Sequence, residues 1–340
     1  MRFISRDNFA RFLNALSAEY DVFVPVKKGE QRFYERYNSF TDDVVVGEVR
    51  AFEPLKSFFM RAREVVAEDF ENSIPSKGKP LAIVGAKACD LKGFKVQDSV
   101  FQGRDYQDPF YIKARRENLI ISSDCTCAIE TCFCLALGLR PYPQENFDLN
   151  LSPLSGGFLI ESGSDKGQIL INKYSSLFEG TNQTMASQRQ QNRKQVVRAV
   201  EKNIKQNAIP SEEQYKGMIE RNFESKIWRE EARTCVECGA CNTVCPTCHC
   251  FLLYDQNDQA RMERLRIWDS CMIKDFARVA GGANPRPHLW MRLRNRFEKK
   301  FDFFPKTADI YACTGCGRCI SACPGKIDIR KVLKRLVDNG

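Results

Sequence analysis

Twice in this chain four cysteines stand at C-x2-C-x2-C-x3-C with a proline behind them. They are Cys235, Cys238, Cys241 and Cys245 before Pro246, and Cys313, Cys316, Cys319 and Cys323 before Pro324. Two-residue loops let three thiolates wrap one iron–sulfur cubane, while the fourth cysteine, three residues on, points away to a second cluster. Two such runs exchange their fourth ligands. One 4Fe-4S cluster is therefore expected on Cys235, Cys238, Cys241 and Cys323, and the other on Cys313, Cys316, Cys319 and Cys245. Gly239 and Gly317 supply backbone freedom where each loop passes close to its cluster, and the prolines turn the chain as it leaves. Structural zinc also takes thiolates at two-residue spacing, but as pairs separated by a longer loop, which neither run offers.

The chain has sixteen cysteines, so eight lie outside these runs. The first run continues into PTCHC, with Cys248, His249 and Cys250, and Cys271 follows in WDSCM; Cys89 stands in GAKACDL, and Cys125, Cys127, Cys132 and Cys134 in DCTCAIETCFC. Any one of these alone reads as a buried packing thiol. Their density argues for metal. Cys89 follows one expected strand and Cys125 another, so neighbouring parallel strand ends would gather Cys89, Cys125, Cys132 and Cys134 around a third cluster. Cys127 could replace Cys125 in that set, and Cys248, Cys250 and Cys271 could hold the extra metal instead.

Other chemistry is missing. The sequence shows no G-x-G-x-x-G after a strand, no G-x-x-x-x-G-K-[ST] and no C-x-x-C-H. Of the two histidines, His249 reads as a hydrogen-bond donor near a cluster and His288 as a surface or helix residue. Asp90, Asp124 and Glu130 read as solvated or capping carboxylates. No catalytic constellation emerges.

The elements that must position these cysteines are of two textures. Phe9, Phe12, Leu13 and Leu16 mark an amphipathic first helix, Leu81–Val84 and Leu119–Ile121 read as buried strands, and GGFLIES with GQILINK as a hairpin or two neighbouring strands. From about residue 180 the sequence becomes polar, with Val196, Val197, Val200 and Ile204 on one helical face, and no clear strand pattern follows. Leu289, Leu293 and Phe297 mark a helix with a solvated basic face; Ile329, Val332, Leu333, Leu336 and Val337 mark the last one. The expected fold class is α+β: an N-terminal α/β domain over 1–180, a helical linker over 181–230, and a mainly α-helical ferredoxin-like domain with two 4Fe-4S clusters over 231–340.

Charge and composition narrow the classes further. At 43% hydrophobic and 28% charged residues, 340 residues can bury a core without disulfides, and the N-terminus does not read as an export signal. The formal charge of +9 invites a nucleic-acid reading, but two clusters at about −2 each bring the holoprotein to roughly +5. No nucleic-acid motif accompanies the charge, and no run of 18 or more apolar residues spans a membrane. A cytoplasmic location is expected.

GAKACDLKGFKVQDSVF, DPFYIKARRENLIISSDC, CFCLALG, CVECGACNTVCPTCHCFLLYD, WDSCM and CTGCGRCISACP occur in the order that resembles the family uniting an iron–sulfur subunit of anaerobic sulfite reductase with the β subunits of sulfhydrogenases. The resemblance covers almost the whole chain, and PTCHC with the upstream CFC is more specific than the ferredoxin runs. Cys89, Cys125, Cys132, Cys134, Cys248, Cys250 and Cys271 fit the family pattern; Cys127 is extra. The resemblance implies an iron–sulfur electron-transfer subunit of an anaerobic oxidoreductase complex, with two or three 4Fe-4S clusters. Its partners would be a flavin-containing, NAD(P)H-oxidising subunit and a catalytic reductase or hydrogenase subunit. The alternative is a catalytic iron–sulfur enzyme in which the extra cysteines form an unusual cluster that reduces a disulfide or a small sulfur compound. A zinc-stabilised nucleic-acid module is the third reading, which a brown colour eliminates.

Overall fold

The structure is a computed structural model that describes residues 1–69, 71–72, 78–103, 105–258 and 261–339. Its first half is built on strands β1 (Arg2–Ser5), β2 (Asp21–Lys28) and β3 (Gln31–Arg36), then β4 (Arg63–Glu68), β5 (Glu71–Asn72), β6 (Leu81–Ala86), β7 (Leu119–Ser123), β8 (Leu149–Leu154) and β9 (Gly157–Ser162). Seven of them form one sheet in the order β1-β9-β8-β7-β6-β2-β3, parallel from β2 through β8 and antiparallel at both edges.

Continuous apolar runs form β6 and β7 because both faces of the sheet are covered. Ala82, Val84, Leu119 and Ile121 face helix α1 (Arg6–Leu16), whose Phe9, Phe12, Leu13 and Leu16 are fully buried. Ile83 and Ile120 face the opposite way, onto Leu91, Phe94 and Phe101 of α2 (Ala88–Phe101) and Tyr111 of α3 (Pro109–Glu117). The segment GQILINK is not a strand but part of α4 (Asp165–Lys173), capped by the Ser164 side chain, which accepts from the Gly167 amide. Leu170 and Ile171 are buried while Ile169 is exposed, a helical spacing that the short run of aliphatic residues hides; the partner of β9 is β8.

A 24-residue helix, α5 (Gln183–Gln206), leads out of the sheet domain with Val196 and Val200 buried. The second half then runs through α6 (Met218–Arg221), α7 (Ile227–Ala232), α8 (Ala240–Thr243), β10 (Phe251–Asp258), β11 (Arg261–Trp268), α9 (Leu289–Glu298), α10 (Phe304–Ala308), α11 (Arg318–Ser321) and α12 (Ile329–Asp338). Its core joins Trp228, Leu293, Phe297, Phe301, Leu333 and Leu336.

The second half, where no clear strand pattern is expected, does hold strands, β10 and β11, which pair with each other and, through β11, with β4. The resulting sheet, β10-β11-β4-β5, joins the two halves of the chain. Charges obscured it: Arg266 of β11 is buried only because Asp108 and Glu64 receive it. The basic face expected around 289–300 is also partly inward. Arg292, Arg296 and Lys300 recur at i, i+4, i+8 and all three are buried.

Candidate metal centres

Each ferredoxin-type run forms a loop followed by one turn of helix, α8 in the first and α11 in the second, and these two turns pack on each other. Gly239 and Gly317 precede the turns with φ of +71° and +70°, the left-handed region that a side chain resists. At Gly317 there is also no room, because a Cβ would strike the Thr131 backbone and side chain.

Cys235, Cys238 and Cys241 line one cavity, and Cys323 from the second run enters it. Cys245 of the first run lies close enough to Cys313 and Cys319 to help push both thiols up, which places it beside the second run. The N-terminal cysteines meet as well. Cys89 lies in the first turn of α2 after β6, Cys125 just beyond the end of β7, and both line a second cavity with Cys127, Cys132 and Cys134. Cys125 is half-buried and Cys127 exposed. Cys316 opens onto the same cavity, and the loop carrying Cys132 and Cys134 is laid on the second run, with the Phe133 amide donating to the Gly315 carbonyl at 2.9 Å. Cys248, Cys250 and Cys271 gather elsewhere, around a third cavity walled by Arg296, Lys299 and Lys300.

Among the described residues no three His, Cys, Asp or Glu side chains converge on a point tight enough for one metal ion. Most of the cysteines line three small cavities. Burial pushes the Cys125, Cys241 and Cys313 thiols up to about 12, so metal binding there releases protons. The Cys250 thiol hydrogen-bonds Cys271 and brings it down to about 6.

The sequence reading missed the cations. Arg50 donates to the Cys316 carbonyl and Ser321 Oγ, and Lys56 to the carbonyls of Asn242 and Cys248. Lys87 donates to the Val46 and Asp124 carbonyls, and Arg296 to Asn242 Oδ1. Lys300 Nζ donates to Cys245 Sγ at 3.3 Å, Thr247 Oγ1 at 2.9 Å and the Ala312 carbonyl at 2.9 Å. All five are buried, and among the described residues none has a carboxylate in ion-pair reach. Buried positive charge without a counter-ion costs several kcal/mol, roughly, per group. Clusters of net negative charge fit these sites because they supply that counter-ion. A single π turn, Lys299–Phe303, continues α9 and sets Lys299 and Lys300 side by side against the third cavity.

Two of the three carboxylates read as solvated or capping are buried in ion pairs. Asp90, next to Cys89, forms a 2.9 Å ion pair with Arg318 of the second run, their side chains 1% and 0% exposed. Asp124 is buried, where Arg193 donates to both its oxygens at 2.7 and 3.0 Å and Ser152 and Asn150 donate as well. Glu130 is exposed and pairs with Arg330. His249 is held neutral, its pKa driven to about 4 chiefly by burial, with Nδ1 3.0 Å from the Thr247 carbonyl; His288 is exposed at the start of α9.

Residues 234–327 match the family model described as a 4Fe-4S dicluster domain. Over 339 residues, 98% of this chain and 98% of the relative, the sequence is 30% identical to sulfhydrogenase 2 subunit beta of Pyrococcus furiosus. A stretch of 106 residues, 31% of this chain and 7% of the relative, is 27% identical to a pyruvate-flavodoxin oxidoreductase of Trichormus variabilis. Among the described residues no helix is long and apolar enough to cross a membrane.

Proposed function

The chain belongs to the sulfhydrogenase β-subunit family and carries 4Fe-4S clusters, and on that footing we propose that it is an electron-transfer subunit of a hydrogenase-like complex. It relays electrons from a flavin-containing, NAD(P)H-oxidising subunit to a separate catalytic reductase or hydrogenase subunit. When bound, each cluster takes up and passes on one electron at a time. Cys235, Cys238, Cys241 and Cys323 hold one, Cys313, Cys316, Cys319 and Cys245 a second, and Cys89, Cys125, Cys132 and Cys134 a third. Residues 1–180 and 231–340 carry these sites, with 181–230 between them.

The observation that supports a relay is the direct seating of the N-terminal cysteine loop on the second run, with Cys316 shared between the second run and the N-terminal cavity. The series then has two ends: Cys127 and Cys238 are exposed, whereas Cys245 and Cys313 are buried. Buried cations beside the thiolates raise the affinity of each site for an added electron, and the packed loops keep water from the sulfurs.

Turnover tests the assignment. The isolated chain, supplied with an artificial electron donor, should take up electrons without reducing sulfite or a disulfide at a useful rate, because it offers no flavin, dinucleotide or haem motif. Robust turnover by the chain alone would replace the relay with the catalytic reading.

A further inference from the structure

Cys248, Cys250 and Cys271 stand outside both ferredoxin-type sets and outside the N-terminal set. The first two extend from Pro246 toward β10, Cys271 follows β11, and the hairpin between them folds the three thiols back to one cavity. We propose that this cavity is a metal centre in its own right, with Cys248, Cys250 and Cys271 holding three irons of an additional four-iron cluster whose fourth iron takes a non-cysteine ligand. This goes beyond the three clusters of the relay.

Two independent features carry it. The sulfurs are supplied with donors: Asn242 Nδ2 lies 3.1 Å from Cys271 Sγ and Lys299 Nζ 3.8 Å from Cys250 Sγ, the contacts that stabilise metal-bound thiolate. The surroundings are also positively charged. Arg296 and Lys300 line the cavity, and Lys56 reaches the Cys248 carbonyl at 2.8 Å. These three are buried with no carboxylate partner among the described residues, an environment that favours an anionic iron–sulfur core. Arg296 also lines the cavity of Cys235, Cys238, Cys241 and Cys323, and the Cys248 thiol hydrogen-bonds Cys245, so the centre adjoins both ferredoxin-type sites as a side branch of the relay.

Iron and acid-labile sulfide counts on the full chain, reconstituted anaerobically, test the proposal. About sixteen irons per chain are expected, against about twelve for three clusters. Cys250→Ser and Cys271→Ala should each lose about four irons and one reduced-state electron paramagnetic resonance signal, while Cys89→Ser loses a different four. The wild-type count does not depend on whether a variant folds. A count near twelve, with loss in Cys250→Ser but none in Cys89→Ser, keeps this centre and removes the N-terminal one. Iron content unchanged in a folded Cys250→Ser protein, or one zinc per chain lost with Cys271, overturns the proposal.

Discussion

Replacing Lys300 by methionine should lower the midpoint potential of the cluster that Cys245 helps to hold. The ammonium is 3% exposed and 3.3 Å from Cys245 Sγ, so water does not screen it from an electron added there. Positive charge favours the reduced, more negative state, and its removal therefore moves the potential down. With the added charge centred about 6 Å from Nζ and an effective dielectric constant of about 20, the lost interaction is about 3 kcal/mol. For a one-electron couple that is on the order of 100 mV. Lys300→Arg, which keeps the charge, should stay near the wild-type value. The assay is an anaerobic redox titration followed by electron paramagnetic resonance, with the other clusters of the same chain as internal references. An upward shift, a shift below about 20 mV, or an equal displacement of every signal would refute the reasoning.

Cys323→Ser should perturb the cluster on Cys235, Cys238 and Cys241 although it lies in the other run; a spectral loss confined to the cluster of Cys313, Cys316 and Cys319 would reject the ligand exchange. Asp90→Asn leaves the Arg318 guanidinium buried and unpaired and should cost about 3–5 kcal/mol of holoprotein stability in denaturant unfolding; a cost under about 1 kcal/mol would remove the pair's role in joining the halves. Gly317→Ala, at φ +70° and against Thr131, should destabilise by at least about 1–2 kcal/mol and depress iron content, whereas a fully loaded variant of wild-type stability would contradict the close approach.

The first helix, strands β6 and β7 and the last helix were legible because their apolar spacing reports burial directly. Both runs announced their chemistry through spacing alone, and the gathering of Cys89 with Cys125 followed from the parallel pairing of β6 with β7. Hidden were the features that depend on partners distant in sequence. Arg266 marks β11 as polar until Asp108 and Glu64 are seen to receive it. Arg296 and Lys300 look like a solvated helix face because nothing local tells a cation facing thiolates from one facing water. One signal was available: Arg292, Arg296 and Lys300 share the four-residue spacing of Leu289, Leu293 and Phe297, a second stripe beside the apolar one. Asp90 likewise reads as an ordinary helix-start carboxylate, and only the fold brings Arg318 to it.

The relay is tested most directly by the visible absorbance of the anaerobically reconstituted chain on addition of NAD(P)H, with and without the proposed flavin-bearing partner. The chain alone should show no change, and the iron–sulfur bands should bleach promptly once the flavoprotein is present. Bleaching by NAD(P)H without the flavoprotein, or none with it, would contradict the account.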